Sequence, residues 1–276
     1  MTPRTILVTG SASGIGRHAI TGLKERGWRV FAGVRSREDM KPLADEGFEA
    51  VHLDYDSPAI ISTALYRILD KTGGKLDAVF NNGAYSQLGA VEDFGTEHLR
   101  AQFESNFFGW HELIRRVVPI MRRQGSGRIV NCSSILGFLT TRYRGAYAAS
   151  KFAVEGLTDA LRLELADTNI RVVLIQPGPI ASELSGKAVQ RFKETVDIDN
   201  SPHREAYRQA LARIEKGEFS TRFKLGPEAV FDKLVLALDS PRPRARYRIT
   251  RITQAAAVAK RLLPTSVMDK ILLRQR

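Results

Sequence analysis

Short apolar runs alternate along the chain with longer stretches of mixed polarity. Residues 6–8, 30–32, 51–53, 78–80, 129–130 and 172–175 are mostly unbroken hydrophobic segments, the pattern of parallel strands covered on both faces. Between them, apolar positions at helical spacing predict helices over 15–26, 60–71, 97–123 and 146–166. Gly27 and Gly73-Gly74 close the first two. Repeated strand–helix units require right-handed crossovers, so the expected fold class is α/β, a doubly wound parallel (Rossmann) sheet. Nothing divides the chain, and residues 1–276 read as one domain. Between 181 and 225 the strand rhythm gives way to charged amphipathic segments, read as a helical lid over a ligand crevice.

Composition narrows the class. At 43% hydrophobic and 26% charged residues, the chain is neither disordered nor collagen-like. A single cysteine, Cys132, excludes an intramolecular disulfide and a thiolate zinc cluster, and fits a reducing compartment. The net charge of +12 invites a nucleic-acid or anionic-membrane reading until its position is considered. Residues 241–276 hold ten of the basic side chains against Asp269 alone, so the body of the chain is close to neutral. With the charge in a basic C-terminal extension and no aromatic-basic motif, nucleic acid is not expected as a partner. Pro264 splits the extension into amphipathic pieces over 252–263 and 265–274, suited to a peripheral membrane or subunit contact. The alternative is a tail docked on its own domain with its arginines solvated. The N-terminus runs directly into a strand, and no apolar run nears the roughly 20 residues that span a bilayer. A cytoplasmic protein is expected, at most peripheral to the membrane.

Candidate chemistry begins where the first strand ends, in Thr9-Gly10-Ser11-Ala12-Ser13-Gly14-Ile15-Gly16. Gly10, Gly14 and Gly16 permit a tight turn and close backbone approach, and the following helix presents free N–H groups to a pyrophosphate. After the second strand comes Gly33-Val34-Arg35, with no carboxylate before Glu38. Arg35 there suits a ribose 2′-phosphate, which favours NADP(H) over NAD(H); read blandly, it is a solvated loop charge.

Tyr147 and Lys151 lie four apart at the start of a helical pattern and so share a face. A nearby ammonium favours a phenolate, which would make the tyrosine an acid–base group. Ser134 stands at the carboxyl end of a buried strand, where a hydroxyl can hold a carbonyl oxygen or simply cap a turn.

Together, Thr9-Gly10, Gly14-Ile15-Gly16, Asn81-Asn82-Gly83-Ala84, Asn106, Ser134, Tyr147, Lys151 and Pro177-Gly178 resemble the short-chain dehydrogenase/reductase family in order and spacing. Within it, the chain is similar to NADP-dependent bacterial aldehyde and ketone reductases related to retinol and 17β-hydroxysteroid dehydrogenases. The resemblance implies that Tyr147 is the acid and base, and that Lys151 binds the nicotinamide ribose and lowers the Tyr147 pKa. It implies that Ser134 orients the carbonyl and that Asn106 holds a relay water. The cofactor would lie on Gly10, Ser13, Gly14, Ile15, Gly16 and Gly83, with Asp54 at the adenine and Asn81 at its ribose. Pro177, Gly178, Ile180 and Ser182 would flank the carboxamide, Ile180 through its backbone. The family usually has Asn-Asn-Ala-Gly where this chain has Asn81-Asn82-Gly83-Ala84.

Substrate-lining positions, judged from their places beside the motifs and in the lid, are Tyr85, Gln87, Leu136, Phe138, Tyr143 and Leu184. They suggest a bulky or apolar carbonyl of retinoid, steroid or aliphatic type, while Arg142 and Arg144 leave an acidic substrate open. Cys132 reads as a buried hydrophobe, the five histidines lack metal-ligand spacing, and no metal is expected. Phe103, Phe107, Phe108 and Trp110 form an aromatic stripe fit for packing on the sheet or on a second subunit, and a homo-oligomer is expected. The expected function is NADP(H)-dependent hydride transfer between a carbonyl and an alcohol. The rival is a cofactor-binding regulator that keeps the fold without the chemistry.

Overall fold

The structure, a computed structural model, describes residues 3–181, 184–215 and 224–274. Seven parallel strands form one sheet: β1 (Thr5–Thr9), β2 (Arg29–Val34), β3 (Glu49–His52), β4 (Ala78–Asn81), β5 (Gly127–Cys132), β6 (Ile170–Gln176) and β7 (Arg246–Arg248). Their order is β3-β2-β1-β4-β5-β6-β7, so the chain starts mid-sheet, winds outward, then reverses at β4. That reversal opens a crevice beyond the carboxyl ends of β1 and β4, where open α/β sheets bind ligands.

The apolar runs become strands because both faces are covered; every residue of β1 is buried. One covering layer includes α1 (Gly14–Glu25), which buries Gly16, Ala19, Ile20 and Leu23 at helical spacing. Fully burying side chains such as Ile20 and Leu23 contributes about 1.5–3 kcal/mol each. A short α2 (Met40–Asp45) precedes β3, and α3 (Pro58–Thr72) follows it. Ser57 caps α3 by accepting from the Ile60 N–H, and Gly73 ends it in the left-handed region. The remaining crossover helices are α4 (Thr96–Phe103), α5 (Gly109–Gln124) and α6 (Gly145–Glu164).

Two departures from the periodicity have physical causes. The expected helix over 97–123 is split by a π-helical turn at Glu104–Phe108, which shifts the inward face of everything after it. The region expected to be a lid holds α7 (Leu184–Thr195) and α8 (Arg204–Glu215), followed by α9 (Glu228–Asp239) against α1. The basic extension is only partly an extension: its Arg246–Arg248 is the seventh strand, hidden from pattern reading by its arginines. Arg246 is held there by Glu155 at 3.1 Å and by Asp159. The last two helices, α10 (Arg251–Leu262) and α11 (Thr265–Leu273), are the amphipathic pieces expected on either side of Pro264.

Candidate active site

Because all seven strands are parallel, the loops after β1 to β6 emerge at one edge of the sheet. That alone brings the glycine loop, Arg35, Asp54, Gly83, Ser134 and residues 177–180 together.

The glycine loop is built for close approach. Gly10 and Gly14 have φ of 65° and 55°, which L side chains rarely adopt. A Cβ on Gly10 would lie 2.7 Å from the Gly83 Cα, and one on Gly16 would strike the Gly10 carbonyl. Gly83 is less constrained: a Cβ there would meet the Gly10 nitrogen at 3.2 Å and the Tyr55 ring at 3.3 Å, a tight fit short of a clash. Ser13 is the N-cap residue of α1, yet its hydroxyl makes no cap bond. Both it and the α1 N-terminus are therefore open to a phosphate.

Beneath this edge runs a buried polar chain. Thr9 Oγ1 accepts from the N–H groups of Asn82 (2.9 Å) and Gly83 (3.0 Å), fixing the loop after β4 against β1. The Tyr55 hydroxyl sits between Thr9 Oγ1 and Asn81 Oδ1, at 2.8 and 2.9 Å. Asn81 donates to Asn131, and Asn131 to Thr158, each at 2.9 Å. Asn81, expected at the ribose, is wholly buried with its side-chain amide committed to the sheet. Asp54 is half-buried after β3 and accepts from the Asp56 N–H at 3.1 Å. Arg35 is exposed, and among the described residues no carboxylate pairs with it.

Tyr147 and Lys151 occupy successive turns of α6, both buried. The Lys151 ammonium donates to the Cys132 carbonyl at 2.8 Å and stands 4.3 Å above the Trp110 ring. Burial lowers its pKa to about 8, against an opposing pull from Cys132 and the Glu155 carboxylate. Burial pushes the Tyr147 phenol up, with Cys132 adding to the rise. The groups that draw it back are the hydrogen-bonded Ser134 hydroxyl and the charge of Arg144. Here Lys151 is turned to Cys132 and Trp110, and the depression of Tyr147 expected from it is not found: the phenol stands raised, with only Ser134 and Arg144 opposing the rise. Ser134 accepts from the Leu136 N–H at 3.1 Å, capping a 3-10 turn at Ile135–Gly137 as its plainer reading expects, and its hydroxyl also meets the Tyr147 phenol.

Asn106 lies in the π turn, buried, with Oδ1 on the Tyr85 N–H (3.0 Å) and Nδ2 on the Tyr85 carbonyl (2.9 Å). Its side chain thus braces the loop after β4. Past β6, the Pro177 carbonyl accepts from Ile135, and Gly178 packs so tightly on Thr250 that a side chain would collide. Leu225 bonds to Pro179 and Ala181, leaving the N–H and C=O of Ile180 facing away from that bridge. Ser182 lies outside the described residues.

The expected substrate positions divide. Leu136 and Phe138 are half-buried beside Ser134. Tyr85 is half-buried under the Arg191 guanidinium, 4.4 Å from its ring centroid. Gln87 is a correction: only 1% exposed, it donates to Thr195 Oγ1 at 2.8 Å and pins α7 to the loop after β4. Tyr143, with φ of 64°, packs on Tyr207 and His203 in a satellite core that also takes in Phe192 of α7. Leu184 opens α7, but its side chain lies outside the described residues.

Comparison with known proteins places the chain in a family. The family model "short chain dehydrogenase" matches residues 4–192. An uncharacterized oxidoreductase, YbbO, of Escherichia coli (strain K12) is 40% identical over 269 residues, covering 98% of this chain and 94% of its own. Retinol dehydrogenase 8 of Bos taurus is 30% identical over 93% of this chain and 85% of its own. A crystal structure of an actinorhodin polyketide ketoreductase variant with NADPH superposes with a TM-score of 0.73 at 28% identity. It covers 90% of this chain and 95% of its own. The chain belongs to the short chain dehydrogenase family and is an oxidoreductase of that family.

Proposed function

We propose that this protein transfers hydride between NADP(H) and a carbonyl/alcohol pair, with Tyr147 as acid in reduction and base in oxidation. The observation that carries the reading is the meeting of Ser134, Tyr147 and Lys151 at the carboxyl edge of the sheet, beside an uncapped phosphate-binding loop. A regulator without chemistry has no use for that trio. The nicotinamide supplies or accepts the hydride. Every other part of the chemistry belongs to the chain. Ser134 and Tyr147 hydrogen-bond the substrate oxygen as it gains charge, and Tyr147 delivers the proton. Lys151 holds the nicotinamide ribose from the floor formed by Trp110 and Cys132.

Arg35 grips the 2′-phosphate, supported by its exposed, unpaired guanidinium and by the ketoreductase structure that holds NADPH. The half-buried Leu136 and Phe138, together with the relative named for retinol, support a bulky or apolar aldehyde or ketone. Oxidation of NADPH and NADH is measured in parallel on a panel of such carbonyls. NADPH-dependent turnover is expected. A clear NADH preference removes the role of Arg35, and inertness towards the whole panel removes the activity.

The C-terminal helices add a peripheral contact with an anionic membrane. Val258, Leu262 and Ile271 are 57%, 75% and 42% exposed among Lys260, Arg261, Lys270 and Arg274. Among the described residues no helix is long and apolar enough to cross a membrane. Binding to phosphatidylserine vesicles should be lost in a Leu262→Glu, Ile271→Glu double variant; unchanged binding refutes the contact. Exposed Phe108 and Phe152 favour a homo-oligomer, and a light-scattering mass of one chain, 30.7 kDa, contradicts it.

A further inference from the structure

Arg144 immediately precedes α6, one turn before Tyr147. Its carbonyl accepts from the Ala148 N–H at 2.9 Å, and the neighbouring Tyr143 carbonyl accepts from Gly89 at 3.1 Å, so its backbone is held on both sides. Burial draws its guanidinium below the usual arginine range, and its charge acts on the Tyr147 phenol. Among the described residues no carboxylate and no hydrogen-bond acceptor meets that guanidinium. Other partly buried arginines do find one: Arg29 meets Glu49 and Arg116 meets Glu112, both at 2.6 Å. Arg191, across the crevice over Tyr85, likewise lacks a carboxylate among the described residues. A half-buried cation without a counter-charge is held at some cost. Next to a reacting oxygen, that cost is offset when the ligand brings the anion.

We propose that Arg144 is an anion-recognition residue of the substrate pocket, and that the carbonyl substrate carries an acidic group within a few bonds of its carbonyl carbon. The proposal rests on the hydride-transfer reading of the site and adds the substrate's chemistry to it. A guanidinium takes a carboxylate or a similar oxyanion as a two-pronged fork, a geometry that an ammonium does not reproduce. The short reach from Arg144 to Tyr147, adjacent turns of one helix end, sets how near the acidic group lies to the carbonyl.

The test uses a medium-chain 3-oxo acid and its methyl ester, titrated calorimetrically into the NADP⁺ complex of the full chain. The wild type should bind the acid about 10- to 100-fold tighter than the ester, the span of a hydrogen bond to a charged group. Arg144→Gln should bring that ratio close to one, and Arg144→Lys should restore part of it. A ratio near one in the wild type overturns the proposal. So does a ratio that survives Arg144→Gln, the result if Arg144 acts only through Tyr147 and affects both ligands alike. The same pair assayed with NADPH separates the two levels. Reduction of the ester without acid preference refutes Arg144 alone. Acid-selective binding without any reduction supports Arg144 and refutes the reaction.

Discussion

Lys151 stands over Trp110, its ammonium 4.3 Å from the ring centroid, while the indole N–H reaches the Gly83 carbonyl at 2.9 Å. One aromatic side chain thus ties the buried cation of α6 to the loop after β4. The cation is desolvated there, which lowers its pKa to about 8. Between pH 8 and 10.5 the unfolded chain binds a proton that the folded chain does not, so Lys151 makes stability rise with pH across that window. Below pH 8 the penalty, on the order of 3 kcal/mol, is present in full. Buried phenols such as Tyr55 and Tyr147, raised by burial, act oppositely above pH 10. In the cofactor-free protein, the melting temperature of wild type should therefore rise from pH 8 to 10 relative to Lys151→Met. The variant should be the more stable of the two at pH 7. Parallel curves contradict the burial argument.

Gly16 and Gly83 make different demands. A Cβ at Gly16 drives into the Gly10 carbonyl, whereas at Gly83 the neighbours at 3.2 and 3.3 Å need give only a few tenths of an ångström. Gly16→Ala should cost about 1–3 kcal/mol, as overpacking does, and should weaken NADPH binding. Gly83→Ala should cost about 1 kcal/mol or less and leave NADPH binding near wild type. Chemical melts and fluorescence titrations read both.

Arg35 is exposed and free of ion pairs among the described residues, so removing it leaves no orphaned partner. Arg35→Gln should raise the KM for NADPH about 10- to 100-fold and leave that for NADH little changed. An equal effect on both cofactors places the 2′-phosphate elsewhere.

Much of this architecture was legible because its signals are local. Continuous apolar strands, a glycine loop at a strand end and an i,i+4 pair each declare themselves within a few residues. What escaped depends on distant partners. The strand Arg246–Arg248 reads as charged tail until Glu155 and Asp159 on α6 are seen to neutralise Arg246. The π turn at Glu104–Phe108 changed the phase of the aromatic stripe, burying Trp110 while leaving Phe108 half exposed. Gln87 sits beside a motif and Asn81 opens one, yet their amides are consumed by Thr195 and Asn131. Arg144 was visible as a charge near the tyrosine, but its lack of a partner is a fact of three dimensions.

Tyr147 is the centre of the account. With saturating NADPH and a carbonyl that the wild type reduces, Tyr147→Phe should slow turnover by about 100-fold or more, the contribution of a positioned proton donor, while NADPH still binds. Turnover at the wild-type rate in Tyr147→Phe would contradict the assignment.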